Sequence, residues 1–220
     1  MEELREPMVK LGVLPINSLQ YGNPRLEQFF VMSEGCSTDQ YIDEFKELFP
    51  PENNSSRVKE ELRLVTDKMK SLGNSQIRNE YLSIDQDLRT YLGMYGSQMG
   101  VTNLAEWFDE LNKVTGSFVL KLKYFFQRPR PYQLASLYDI ELYPLQSCSS
   151  LTPAFPSGHT FQAFMCEKYL ESRGVKNNLS ETVARSRVAL GLHFPSDNQG
   201  SFEIAEKLIE KPEIKALFNE

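Results

Sequence analysis

The sequence predicts an all-α single domain, and three observations carry that prediction. Apolar residues recur at steps of three and four through most of the chain beyond Asp39, the spacing that lines one face of a helix. No segment alternates apolar and polar residues over the length of a strand. Glycine, proline and short polar residues fall where helix ends belong. A chain of 220 residues suits one domain, taken as 1–220, and is long enough to bury a sizeable core.

Residues 1–38 carry Pro7, Pro15, Pro24 and scattered glycines, and are expected to be loop-rich. Helical spacing begins near Asp39, with Tyr41, Ile42, Phe45 and Leu48, and Pro50-Pro51 breaks it. Ser55 or Ser56 caps a helix to about Leu72, and Gly73 ends it. Another helix is expected from Ser75 to about Tyr95, with the stripe Tyr81, Ile84, Leu88, Tyr91 and Tyr95. Thr102 is a good N-cap for the next, whose stripe Trp107, Leu111, Val114, Phe118, Leu122 and Phe125 reads as core. It stops at Arg128-Pro129-Arg130-Pro131, because proline disfavours helix at itself and at its predecessor. Residues 131–157 read as a long loop, a length that is often functional. Helices follow at about 158–172, 180–192 and 197–210, and a tail helix starts at Pro212.

Composition excludes several classes. Hydrophobic residues make up 40% and charged residues 25%, ordinary for a globular chain. The net charge of −6 argues against a broad nucleic-acid surface, so no nucleic-acid partner is expected. The three cysteines, Cys36, Cys148 and Cys166, form no Cys-x-x-Cys pair; neither a zinc site nor a disulfide framework is expected, and reduced structural thiols are. Met1–Pro7 is acidic and unlike a signal peptide. No run reaches the roughly 18 apolar residues a membrane helix requires. A cytoplasmic protein without an integral membrane segment is therefore expected, and homo-oligomerisation is left open.

The chemistry concentrates between 156 and 197, where both of the chain's 2 histidines lie. His193 is followed four residues on by Asp197. A carboxylate there can orient the ring and leave its other nitrogen free as base or nucleophile; a buried histidine satisfied by a nearby acid would look the same. Pro156-Ser157-Gly158-His159 enters a helix-forming run. Free N–H groups at a helix start favour an anion, and His159 is placed to protonate a leaving oxygen. An N-cap serine beside a surface histidine would give the same string. Arg187 lies six residues before His193, about 120° around a continuous helix, so the two could flank one pocket. Lys121, Lys123, Arg128 and Arg130 place four cations within ten residues.

Together these residues resemble the three-part signature of the superfamily of type 2 phosphatidic acid phosphatases, bacterial class A acid phosphatases and vanadium haloperoxidases: Lys-x6-Arg-Pro, Pro-Ser-Gly-His, and Ser-Arg-x5-His-x3-Asp. All three parts occur in order over about residues 121–197. The first part fits twice, as Lys121 with Arg128 and as Lys123 with Arg130. Arg128-Pro129-Arg130-Pro131-Tyr132 is similar to the class A pattern and favours Lys123 with Arg130. Helix angles favour the other register, since Lys121 lies about 60° and Lys123 about 140° from the Phe118 stripe.

The resemblance implies a helical bundle of the acid phosphatase/vanadium haloperoxidase type, its motif-bearing core at about 102–210. It implies a phosphoric monoester hydrolase acting on a small phosphorylated substrate. His193 would be the nucleophile, Asp197 its orienter and His159 the general acid. Lys123, Arg130, Arg187, Ser157 and Gly158 would hold the phosphate. No metal or other cofactor is implied for hydrolysis, with vanadate expected as an inhibitor. The same residues would suit a vanadate-dependent haloperoxidase, with vanadate as cofactor, or a nucleotide or lipid diphosphate phosphatase. The lipid enzymes span membranes, which this chain is not expected to do, so the soluble class A type is the nearest likeness.

Overall fold

The computed structural model describes residues 16–73 and 76–219. Among them are ten α-helices and no strand, in one all-α domain. The helices are α1 (Leu26–Glu34), α2 (Ser56–Leu72), α3 (Gln76–Gln86), α4 (Leu88–Gln98), α5 (Leu104–Phe126), α6 (Pro131–Ala135), α7 (Gly158–Ser172), α8 (Leu179–Ala189), α9 (Pro195–Ile209) and α10 (Pro212–Phe218). The readings on residues 1–15, and Ser75 itself, lie outside the described residues. No helix among the described residues is long and apolar enough to cross a membrane.

Most boundaries follow local chemistry. The Ser55 side chain accepts the Val58 N–H at 3.3 Å and starts α2. The expected helix over 75–95 is two, because Asp87 accepts from Thr90 N–H at 3.0 Å and caps α4 after one residue of break. The loop-rich reading of 1–38 is corrected by α1. That helix buries none of its residues and leaves Leu26, Phe29 and Phe30 more than half exposed, so no polar face sets off its apolar one. The long-loop reading of 131–157 is corrected at its start, where Pro131 opens α6 at a first-turn position. The segment after Asp39 is a helix of the tighter three-residue type over Ser37–Phe45. Phe125 is 46% exposed, outside the core stripe, and its neighbour Phe126 packs inward instead.

The spine is α5. Trp107, Phe108, Leu111, Phe118, Val119 and Leu122 on it join Phe161, Phe164, Met165 and Tyr169 of α7 and Ile204 and Leu208 of α9 in the main core. α7 also packs on α8, and α2 on α8. A smaller cluster of Val58, Leu62, Leu134, Ala135 and Phe194 ties α2 and α6 to the turn that follows α8. Phe194, fully buried, thereby pins the residue before it, His193.

Gly200 on α9 is needed for space. A Cβ there would come within 2.1 Å of the Phe155 ring. Phe155 is itself buried against Phe126, ring centroids 4.9 Å apart. It leads into the Pro156–His159 turn, so Gly200 lets that turn lie on α9. Gly200→Ala is expected to cost about 1–3 kcal/mol by overpacking, read as a melting temperature lower by about 2–12 °C. An unchanged melt would show that Phe155 has room to move.

Candidate functional site

The site gathers at the ends of α5, α7, α8 and α9. α8 ends at Ala189, and Gly191 at φ 75° turns the chain so that the N–H groups of Leu192 and His193 both donate to Arg187 O, at 3.0 and 3.2 Å. A Cβ at residue 191 would also meet Met69 Sδ at 2.4 Å. His193 therefore does not continue the helix of Arg187, and the 120° relation between them does not apply. α9 starts at Pro195, which places Asp197 in its first turn. The His193–Asp197 pair meets across this turn, Nδ1 to Oδ2 at 3.2 Å.

The ring's tautomer follows from its partners. Arg130 Nη1 lies 2.8 Å from His193 Nε2, and a guanidinium can only donate. Nε2 is therefore the nitrogen with the lone pair, and Nδ1 carries the proton that goes to Asp197. Burial, then Arg130, Lys123 and Arg187, hold the imidazole well below its usual pKa and keep it neutral. A neutral ring, protonated on Nδ1 and held by a carboxylate, is the form a nitrogen nucleophile needs.

Lys123 is 5% exposed and donates to Pro153 O at 2.8 Å. Arg130 is fully buried, its Nε on Thr152 O at 2.8 Å and Nη1 also on Leu192 O at 2.7 Å. Lys121 points elsewhere, paired with Asp39 at 2.6 Å. The helix-angle argument for Lys121 is thus corrected, because α5 is buried on several sides, by α1, α4, α7 and α10. Arg128 also lies behind the site, on Asp197 Oδ1 at 2.5 Å. Arg187 is fully buried; Nη1 meets Asp85 Oδ1 at 2.6 Å and Nη2 meets Ser149 Oγ at 2.8 Å. Its buried Nε has no hydrogen-bond partner among the described residues.

Gly158 is the first residue of α7, so its N–H lacks an intrahelical acceptor. It backs onto Lys123, whose Cε would lie 3.8 Å from an added Cβ. The Ser157 hydroxyl is committed to Thr160 Oγ1 at 2.9 Å, and Thr160 in turn donates to Asn198 at 2.8 Å. Its proton is not available to a bound anion, so the part it can take in an oxyanion cradle is to start the helix. His159 is partly exposed. Burial lowers its pKa well below the usual value, and the charges of Arg187, His193, Lys123 and Arg130 add to this. His159 thus feels the charges of His193 and of all three cations.

The same repulsion acts among the cations. Burial, then Arg187, pushes Arg130 down to about 10. Burial and then Arg130 push Lys123 well below the usual range, and burial lowers Arg187. The consequence for the histidines has a definite sign. Unfolded imidazoles take up protons below 6.5, whereas His159 and His193 in the fold resist. Stability is therefore expected to fall as pH drops below that value, by about 1.4 kcal/mol per pH unit for each resisting ring. Melts of the protein and of His159→Gln between about pH 5 and about pH 7 check this; equal slopes would refute it.

Several functional neighbours escape sequence reasoning. Asp85 comes from the motif-free half and accepts Arg187, Ser147 and Ser149 on one oxygen. Its signal was faint: an aspartate in the last turn of α3 stands against the helix dipole. Glu61 of α2 accepts Ser196 N–H at 3.1 Å and Ser196 Oγ at 2.6 Å. The carbonyls of Thr152 and Pro153 hold Arg130 and Lys123, and no side-chain pattern announces a carbonyl. The three cysteines are unpaired; Cys148 is exposed, and so is no buried structural thiol. Among the described residues no group of three or more His, Cys, Asp and Glu side chains is arranged to hold a metal ion. No protein-family model matches the chain, and no curated protein matches it.

Proposed function

We propose that this chain hydrolyses phosphate monoesters of small molecules through a phosphohistidine at His193. One observation carries the reading: three buried cations act on the His193 imidazole, whose lone pair meets Arg130, and among the described residues Lys123 and Arg130 make no ion pair of their own. Buried positive charge without a counterion is costly. A tetrahedral dianion relieves that cost and supplies the electrophile. The unpartnered Nε of Arg187 and the Gly158 N–H are donors left over for its oxygens.

The reaction balances on the chain's own residues. His193 Nε2 attacks phosphorus in line, while the phosphorus–oxygen bond to the leaving group breaks. His159, protonated once the bound anion offsets the surrounding cations, gives its proton to the leaving oxygen. In the second half His159 takes a proton from water as the water oxygen attacks phosphorus, and the phosphorus–nitrogen bond breaks to free His193. Lys123, Arg130 and Arg187 hold the equatorial oxygens, where charge grows in the transition state. Arg130 Nη1 sits on Nε2 in the free protein, so the arriving phosphate has to take over that donor. Vanadate, which adopts the five-coordinate shape, should compete.

The test is phosphate release from a chromogenic monoester, with and without vanadate, beside a panel of nucleotides and diphosphates. Release blocked by vanadate supports the reading. Turnover of diphosphates far above monoesters would move the substrate class to anhydrides. Peroxide- and bromide-dependent halogenation requiring vanadate would replace hydrolysis by haloperoxidase chemistry. No turnover of any ester would sink it.

A further inference from the structure

Asp197 commits both carboxylate oxygens. Oδ2 takes the His193 ring at 3.2 Å and the Phe194 N–H at 2.8 Å. Oδ1 takes Arg128 Nη1 at 2.5 Å. Arg128 Nη1 also reaches Ser196 Oγ at 2.8 Å, and its guanidinium lies 4.4 Å over the Phe194 ring. Both neighbours belong to the turn that carries His193. The geometry points to Arg128 as a positioning residue for His193, acting through Asp197, so that the two arginines of Arg128-Pro129-Arg130-Pro131 grip opposite nitrogens of one imidazole. This rests on the reading of His193 as the nucleophile.

The local sequence explains how both reach one ring. Each arginine precedes a proline, which disfavours helix and favours extended backbone. The chain from Gln127 to Arg130 is not helical, and alternate residues of an extended chain share a face. Arg130 thus meets Nε2 directly, and Arg128 meets Nδ1 by way of the carboxylate. The doubled Lys-x6-Arg-Pro match hides two jobs rather than two candidates for one.

A purely stabilising role fits Arg128 poorly. Its side chain is 1% exposed, yet Nε and Nη2 have no hydrogen-bond partner among the described residues. The Glu61 carboxylate is 3.6 Å from Nη2, too far for a good hydrogen bond. A buried ion pair with unsatisfied donors adds little net stability. The well-made contacts are those that fix Asp197 and Ser196. A carboxylate gripped on Oδ1 cannot swing Oδ2 away from the ring.

The chain's 2 histidines make a direct readout practical. In proton and nitrogen NMR of the imidazoles, His159→Gln assigns the His193 signals. A hydrogen-bonded Nδ1–H is expected for His193 in the unaltered protein; a ring protonated on Nε2 instead overturns the inference before any Arg128 variant is made. Arg128→Lys keeps the charge, and Arg128→Met keeps only the stem. The downfield shift of the Nδ1–H and kcat should both fall in the order unaltered, Lys, Met, with kcat lower by about 10- to 100-fold for Met. KM should change little, since Arg128 touches no substrate. The Lys variant, which preserves the charge opposite Asp197 and Glu61, decides the matter if the Met variant does not fold. An Nδ1–H resonance and kcat unchanged in every folded variant overturn the inference. Should the unaltered protein hydrolyse nothing, the monoesterase reading fails, while the NMR order still decides whether Arg128 sets the ring.

Discussion

His193→Ala is expected to abolish phosphate release, with a loss of at least about 10⁴-fold, the scale on which removing a covalent nucleophile falls. The expectation rests on a ring with no substitute nearby. The other histidine, His159, sits at the start of α7 and, among the described residues, makes no hydrogen bond to a carboxylate that would orient its ring for attack. The cationic cradle survives the substitution, because Lys123 and Arg187 are held by Pro153 O, Asp85 and Ser149 rather than by His193. The variant should therefore still bind inorganic phosphate or vanadate, measurable by calorimetry, while failing to turn over a chromogenic monoester or to incorporate label from a phosphorus-32 substrate. Residual turnover within tenfold of the unaltered protein would mean that water is activated without a phosphohistidine.

Arg130→Met carries the next largest expected loss, about 10²- to 10³-fold in kcat. Thr152 O fixes Nε at 2.8 Å and Leu192 O fixes Nη1 at 2.7 Å, so the guanidinium plane is already set in the free protein. Preorganised charge in a buried site acts most strongly where charge develops. Arg130→Lys should recover only part, because one ammonium cannot keep both carbonyls and face the phosphate. Lys121→Met makes the contrasting control. Its partly buried pair with Asp39 lies away from the histidines, and activity should be unchanged. Equal losses in Arg130→Met and Lys121→Met, measured as kcat/KM on one monoester, would mean that neither register holds the phosphate.

The helices were largely readable because their causes are local. Ser55, Gly73, Pro131 and Pro212 act on the backbone within a turn of themselves, and the α5 stripe repeats at the helical period. α1 was not readable, since a helix lying on the surface with exposed phenylalanines has no polar face to give its period away. The break at Asp87 was missed because the apolar stripe continues across it, and capping outweighed the stripe. At the site, the histidines, Asp197 and Arg187 stood out by spacing. The partners that orient them did not, because Asp85, Glu61 and the carbonyls at 152 and 153 come from segments with no pattern in common.

Residue types and their order were enough to specify an all-helical chain and to single out a short list of basic and imidazole side chains, because periodicity, caps and spacing are properties of neighbours along the backbone. Which lysine is buried, which arginine meets the ring and which one grips the aspartate behind it depended on how α5 is surrounded and on the turn at Gly191. Those are settled by contacts between distant segments, where burial and repulsion among like charges, rather than position in the chain, determine what each group does.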